Sequence, residues 1–222
     1  MADKNAGGLS RAIAEHVANT PYSALPPATV AATKRALLDG IGVMLAASGL
    51  SVEAEPFVAL AEAEGGTPAA TILGRGTRVP AQAAAFANGA LAHALDFEDA
   101  FDAAPTHPNA SLIPAALAVA EAHGPVGGRE FIAAMAIGCD LVCRLGLSLR
   151  RTMEEGGWYP PPILGAFGAA AAAARLMRLS ARQVSDTFSL ILCQVSCPGE
   201  IKYSADTVIR AVREAFPARA AV

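Results

Sequence analysis

Four carboxylates, Asp96, Glu98, Asp99 and Asp102, fall within seven positions of "ALDFEDAFDAAPTHPNA" (residues 94–110), with His93 just before the stretch and His107 inside it. The chain as a whole is only 17% charged, so this concentration needs a reason. Carboxylates beside imidazoles are the groups that move protons near neutral pH. On a helix, His93, Asp96, Asp99 and Asp102 would recur at i+3 and share one side, where like charges repel. Three readings fit such a row. It is a solvated helix end, although carboxylates at a helix C-terminus oppose the macrodipole. It is an acid–base pair for catalysis. Or it is a hard-cation site, for which the oxygen ligands are present but the spacing matches no calcium loop.

Two nearby stretches bear on the choice. "THPNAS" puts His107 before one expected helix start, and "WYPPPILG" puts Trp158 and Tyr159 before another. Helix N-termini present free N–H groups and a positive dipole end, which suit carboxylate or phosphate ligands. Two such ends beside an acid–base cluster would form a site for an anionic substrate. Taken alone, His107 reads more readily as a capping or surface histidine than as a site residue.

The elements that must position these groups are helical. Of the 222 residues, 53% are hydrophobic and 5% aromatic, and alanine, the best helix former, dominates. Helical spacing appears over residues 10–19, 28–48 and 52–66, the last ending on a diglycine. It returns from Pro80 to about Leu95, then from an Asn109 N-cap to Gly124. Residues 129–147 and 161–177 follow, then 180–195 with Ser180 as N-cap, and a more charged helix from about Ala205. Gly40 and Gly42 would let helices approach closely. "AATIL" (69–73) is the single strand-like run. The expected fold is an all-α, multi-helix array without repeats or a domain boundary.

A net charge of −3 and no basic stripe argue against a nucleic-acid partner. The first residues lack the apolar core of a secretory signal. The longest apolar run, residues 160–174, is shorter than the roughly 20 residues of a membrane helix. A soluble cytoplasmic protein is the expectation. Cys139/Cys143 and Cys193/Cys197 are each spaced i, i+4, a possible zinc geometry. The first pair lies in a nearly all-apolar stretch that would penalise thiolates, so the expectation is no metal and small buried thiols.

The stretch "NGALAHALDFEDAFDAAPTHPNASLIPAALAVAEA", with "GCDLVCRLG" (138–146) and the Pro-Pro before "ILGAFGAAAAAARLMRLS", resembles the MmgE/PrpD family. Its members include 2-methylcitrate dehydratase, cis-aconitate decarboxylase and iminodisuccinate epimerase. The resemblance runs from about residue 10 to the end. It implies a helical catalytic domain joined to a smaller lid domain absent from this chain, residues 1–222 being the N-terminal, incomplete part of the helical domain and inactive alone. By position it implies Asp96 and His107 as catalytic acid or base, Lys202 as an acid or carboxylate-binding lysine, and Asp99, Tyr159 and His93 as substrate-binding or orienting residues.

The resemblance further implies a cofactor-free lyase, a hydro-lyase, acting on a hydroxylated or unsaturated di- or tricarboxylic acid, and a homodimer. Two alternatives stand beside it: an epimerase of an amino- or imino-dicarboxylate, and a catalytically silent member. The chain departs from decarboxylase-like members at Ala100, where they have threonine, and at Tyr159, where they have histidine. It also has one extra residue between Asp96 and His107. A phenol is a poor replacement for an imidazole in proton transfer near neutral pH.

Overall fold

A computed structural model describes residues 6–204 and 207–222. The chain folds as an all-α array. In order it forms α1 (Ala6–Asn19), α2 (Pro27–Leu50), α3 (Glu55–Ala63), β1 (Ala70–Thr71), β2 (Arg78–Val79), α4 (Ala81–His93), α5 (Pro108–Ala122), α6 (Gly128–Ser148), α7 (Pro160–Leu176), α8 (Ala181–Leu192), α9 (Ile209–Val212) and α10 (Ala215–Ala220). The strand-like run at 69–73 is half of a two-residue antiparallel hairpin, Ala70 opposite Val79 and Thr71 opposite Arg78.

Helices α4, α5 and α7 form the centre and are buried on nearly every side. Their alanines explain how. An alanine buries little apolar area, about 0.8 kcal/mol for each methylene-sized group, so this core depends on many close backbone approaches. Helices α6 and α7 cross at Gly138 and Gly168. A Cβ on either glycine would lie 2.8 Å from the other's carbonyl oxygen, so neither tolerates a side chain. Larger apolar area comes from Phe57, Phe86 and Phe216, whose ring centroids lie 5.4 to 6.3 Å apart.

Several boundaries differ from the sequence expectation. The helix expected from Ala205 is instead two short pieces, α9 and α10; residues 205 and 206 lie outside the described residues. Asn109 is not an N-cap. His107 occupies that position, and Asn109 lies in the first turn of α5. Ser180 does cap α8, in a reciprocal pair with Gln183. Of the three glycines in α2, only Gly40 faces a neighbour, Ile113, while Gly42 and Gly49 face open space. Helix α6, 21 residues long, is apolar and long enough to cross a membrane, contrary to the reading of residues 160–174 as the longest such run. It packs against α5 and α7, and half of its most apolar window is buried.

Candidate active site

The acidic stretch is not a helical row. Helix α4 ends at His93, and Asp96 turns the chain in the left-handed region, φ 57°, with its N–H donating to the His93 carbonyl at 2.8 Å. Aspartate tolerates this conformation better than most residues, which allows an abrupt turn without glycine. The i+3 spacing of His93, Asp96, Asp99 and Asp102 therefore has no meaning here, and Asp102 is exposed. Downstream, Phe101 pairs with Thr106 as an isolated bridge, closing a tight loop that returns His107 toward Asp99.

His93 is the centre of the arrangement, its side chain fully buried. Gly89 stands one turn earlier on the same face of α4. A Cβ there would lie 2.7 Å from the Glu214 carbonyl oxygen and 2.8 Å from the Ala215 Cα. The bare backbone at Gly89 thus lets the α9–α10 junction lie directly on α4. That approach delivers Arg213, which is 2% exposed, onto Nε2 of His93. On its other nitrogen, His93 Nδ1 meets the buried Glu98 carboxylate. Arg213 also lies over the Tyr159 ring, 4.9 Å from its centroid, with Nε 3.5 Å from Glu214 Oε1. Glu214 in turn accepts from Ser111 in the core.

Asp96 and His107 approach this buried pair from its two sides. Asp96 Oδ1 lies 3.8 Å from His93 Nε2, and Oδ2 accepts from Arg210 Nη2 at 3.3 Å. His107 Nδ1 lies 3.4 Å from Glu98 Oε1 and donates to the Asp99 carbonyl at 3.1 Å. The two histidine rings are 6.0 Å apart, centre to centre. Burial pushes the Asp96 carboxyl upward, but the charges facing it, the Arg210 and Arg213 guanidiniums among them, outweigh burial and hold Asp96 below the usual carboxylate value. For Asp99 the balance is reversed. Burial raises it despite two bonds from Asn109, backbone N–H at 3.1 Å and side-chain Nδ2 at 2.9 Å.

Those two bonds also correct the expectation that both helix starts receive a substrate anion. Asp99 already occupies the Asn109 N–H at the start of α5. At the start of α7, Pro160, Pro161 and Pro162 have no N–H, and the Tyr159 N–H donates to the Cys197 carbonyl at 2.8 Å. Cationic side chains are the groups left to meet an anion. Lys202 is exposed, its Nζ 5.9 Å from the ring centre of the buried Tyr159, and Arg210 lies beside Asp96. Asp96 is 53% exposed, so this face is open. Neither Asp96 nor His107 lines the cavities of about 590 Å³ near Glu64, Phe216 and Arg219, or about 280 Å³ between residues 103–105 and 149–155.

His93, Asp96 and Glu98 are close enough to share a cation. Two guanidiniums compete for that space: Arg213 faces His93, and Arg210 faces Asp96. Among the described residues the four cysteines do not gather. Cys139 and Cys143 lie on α6, Cys193 is exposed after α8, and Cys197 is buried elsewhere.

Sequence reading did not single out Arg210, Arg213, Glu214, Ser111 or the Asn109 contact to Asp99, and gave Glu98 no role. The available signal was the Arg213–Glu214 dipeptide inside the apolar run "AVREAFP". Charges that interrupt an apolar face are seldom buried without partners.

Residues 11–222 match the family model of the MmgE/PrpD N-terminal domain. The chain is similar to the cis-aconitate decarboxylase-like protein oryM of Aspergillus oryzae, 28% identical over 96% of this chain and 45% of that protein. It is similar also to the cis-aconitate decarboxylases of Aspergillus terreus, 25% identical over 98% of this chain and 45% of the relative, and of Mus musculus, 27% identical over 75% and 35%. It therefore spans less than half the length of each of these relatives. With a match that takes in both the buried His93 centre and the loop carrying Asp96 and His107, the chain belongs to the MmgE/PrpD family, across its N-terminal domain.

Proposed function

We propose that this chain forms the N-terminal helical part of a lyase acting on a hydroxylated or unsaturated di- or tricarboxylic acid by acid–base proton transfer, without a cofactor. The observation that carries this reading is the approach of Asp96 and His107 to one buried His93–Glu98 pair, at 3.8 Å and 3.4 Å, with Arg210 beside Asp96. The names of the relatives, decarboxylases of cis-aconitate, support the substrate class.

The roles follow from the environments. Asp96, kept ionised by the groups around it, accepts the proton from the carbon beside a substrate carboxylate. His107 returns a proton to carbon or protonates the leaving group. Lys202 and Arg210 bind substrate carboxylates. Tyr159 donates a hydrogen bond, since burial pushes its phenol upward and keeps it protonated, with Arg213 and Arg210 opposing. Asp99 ties the loop to α5, and His93 supports Asp96 from beneath.

A positioned acid or base contributes about 10²–10⁴-fold in rate. In the complete protein, Asp96→Asn and His107→Ala should each lower turnover at least tens-fold in a screen of di- and tricarboxylic acids followed by proton NMR. A new vinyl signal identifies dehydration, released carbon dioxide identifies decarboxylation, and α-proton washout in D₂O without a new species identifies epimerisation. Near-normal turnover in both variants would remove the assignment. Binding of such acids without any conversion would favour a silent member, with Ala100 and Tyr159 as the marks of a lost site.

A further inference from the structure

One buried ionisable group at this site has no part in the mechanism above. The Glu98 side chain is 3% exposed. Its Oε1 touches His93 Nδ1 and lies 3.4 Å from His107 Nδ1, while Oε2 is buried with no hydrogen-bond partner among the described residues. Burying a carboxylate with unmet lone pairs is costly, so its retention between two imidazoles calls for a role.

The direction of each hydrogen bond follows from what each group can donate. Arginine has donors only. His93 Nε2 therefore accepts from Arg213, and His93 Nδ1 carries the hydrogen that points at Glu98. His107 Nδ1 faces two groups that accept, the Glu98 carboxylate and the Asp99 carbonyl at 3.1 Å. The other charged neighbour of His107 is the Asp99 carboxylate, which Asn109 holds on the far side. His107 Nε2 has no hydrogen-bond partner among the described residues. The Asp99 carbonyl accepts the Nδ1 hydrogen, and the negative charge of Glu98, 3.4 Å from that nitrogen, favours hydrogen there over Nε2, so Glu98 sets which nitrogen of His107 bears it.

We propose that Glu98 is a positioning residue: braced by His93, its buried carboxylate fixes His107 as the Nδ1–H tautomer and leaves Nε2 as the free nitrogen that meets substrate. The last clause rests on the reading of His107 as a proton carrier; the tautomer does not.

The test is long-range proton–nitrogen NMR on the 222-residue chain labelled with ¹⁵N-histidine, at about pH 8, above the ordinary range for imidazole protonation. His107→Gln identifies the resonances. The parent is expected to show a protonated Nδ1 and a bare Nε2 on His107. Glu98→Gln, checked for a parent-like helical circular dichroism spectrum, is expected to raise the Nε2–H form several-fold, to a share comparable with Nδ1–H. An Nε2–H tautomer in the parent overturns the proposal. So does an unchanged Nδ1–H tautomer in a folded Glu98→Gln, which would assign the tautomer to the Asp99 carbonyl. Should that variant fail to fold, the parent still decides: its His107 Nδ1 proton is expected to exchange slowly with solvent, and fast exchange overturns the proposal. No turnover is read, so an inactive complete protein would sink the lyase reading and leave this result standing.

Discussion

Asp96 and Arg210 meet across the open face of the site, Oδ2 to Nη2 at 3.3 Å, with 114 positions of chain between them. The contact ties the loop after α4 to the short helix α9. Burial alone would raise Asp96; the Arg210 and Arg213 guanidiniums hold it below its ordinary value. A carboxyl whose folded value lies below its unfolded one adds stability above the unfolded value, near 3.8. That stability is lost as pH falls through the lower folded value. Both side chains are about half exposed, so solvent screening keeps the contribution under about 1 kcal/mol. Arg210→Ala should therefore lower urea-unfolding stability slightly at neutral pH. As pH falls through the folded value and Asp96 takes up its proton in both proteins, the difference should vanish. A deficit that persists unchanged in acid would show that the pair contributes through packing and not charge.

Asp99 carries the opposite sign. Burial raises its folded value above the unfolded one, so the folded state gains below the unfolded value and loses that gain as pH rises through the folded value. Asn109 limits the loss with two hydrogen bonds to the carboxylate. Asn109→Ala removes the side-chain donor from a largely buried charge, at a cost of about 1–3 kcal/mol at neutral pH. The cost should shrink in acid, where Asp99 is protonated. Chemical denaturation at the two pH values measures it, and an equal cost at both would contradict the account.

What the sequence made legible was the set of elements with strong local signals. Ser180 and Gln183 announce the start of α8 through a reciprocal cap, and the long alanine-rich runs announce α4, α5 and α7. The hairpin was half legible, because a two-residue strand at Arg78–Val79 has no periodicity to read. At the site, residue types marked Asp96 and His107, but the periodic reading of His93, Asp96, Asp99 and Asp102 failed. Helix α4 ends before the acids begin, and a left-handed aspartate replaces the glycine that would have signalled the stop. Arg213 was invisible for a different reason. Its partner His93 is 120 positions away, and only the bare backbone at Gly89 brings the two together. Local pattern cannot report a contact made by a distant segment.

Arg213 and Lys202 both face Tyr159, yet they should behave differently when removed. Arg213 is buried against His93 and Glu214, and Glu214 is itself fully buried on Ser111. Arg213→Ala leaves an uncompensated carboxylate inside the protein, a loss of about 3–5 kcal/mol. Lys202 is exposed, and Lys202→Ala should leave stability within about 0.5 kcal/mol. If Lys202 binds substrate carboxylates, its removal should weaken binding of a di- or tricarboxylic acid to the complete protein by about tenfold or more, equivalent to about 1.4 kcal/mol. Thermal melts paired with calorimetric titration separate the two. Equal destabilisation by both substitutions would erase the distinction between support and site.

Cys139 and Cys143 stand one turn apart on α6, outside the proposed chemistry, and they should differ in reactivity. The nearness of the two thiols raises Cys139 and lowers Cys143, so Cys143 is the one to ionise first. Burial raises Cys197 to about 11. Alkylation proceeds through the thiolate, so iodoacetamide at neutral pH should modify Cys143 well before Cys139 or Cys197. Cys139→Ala removes the neighbouring thiol that lowers Cys143 and should slow modification of Cys143 several-fold, although it also opens a little more access to solvent. Peptide mass spectrometry over a time course reads both rates. Faster labelling of Cys197 than of Cys143, or a Cys139→Ala variant in which Cys143 reacts faster, would mean that exposure governs these thiols and the pairing of Cys139 with Cys143 does not.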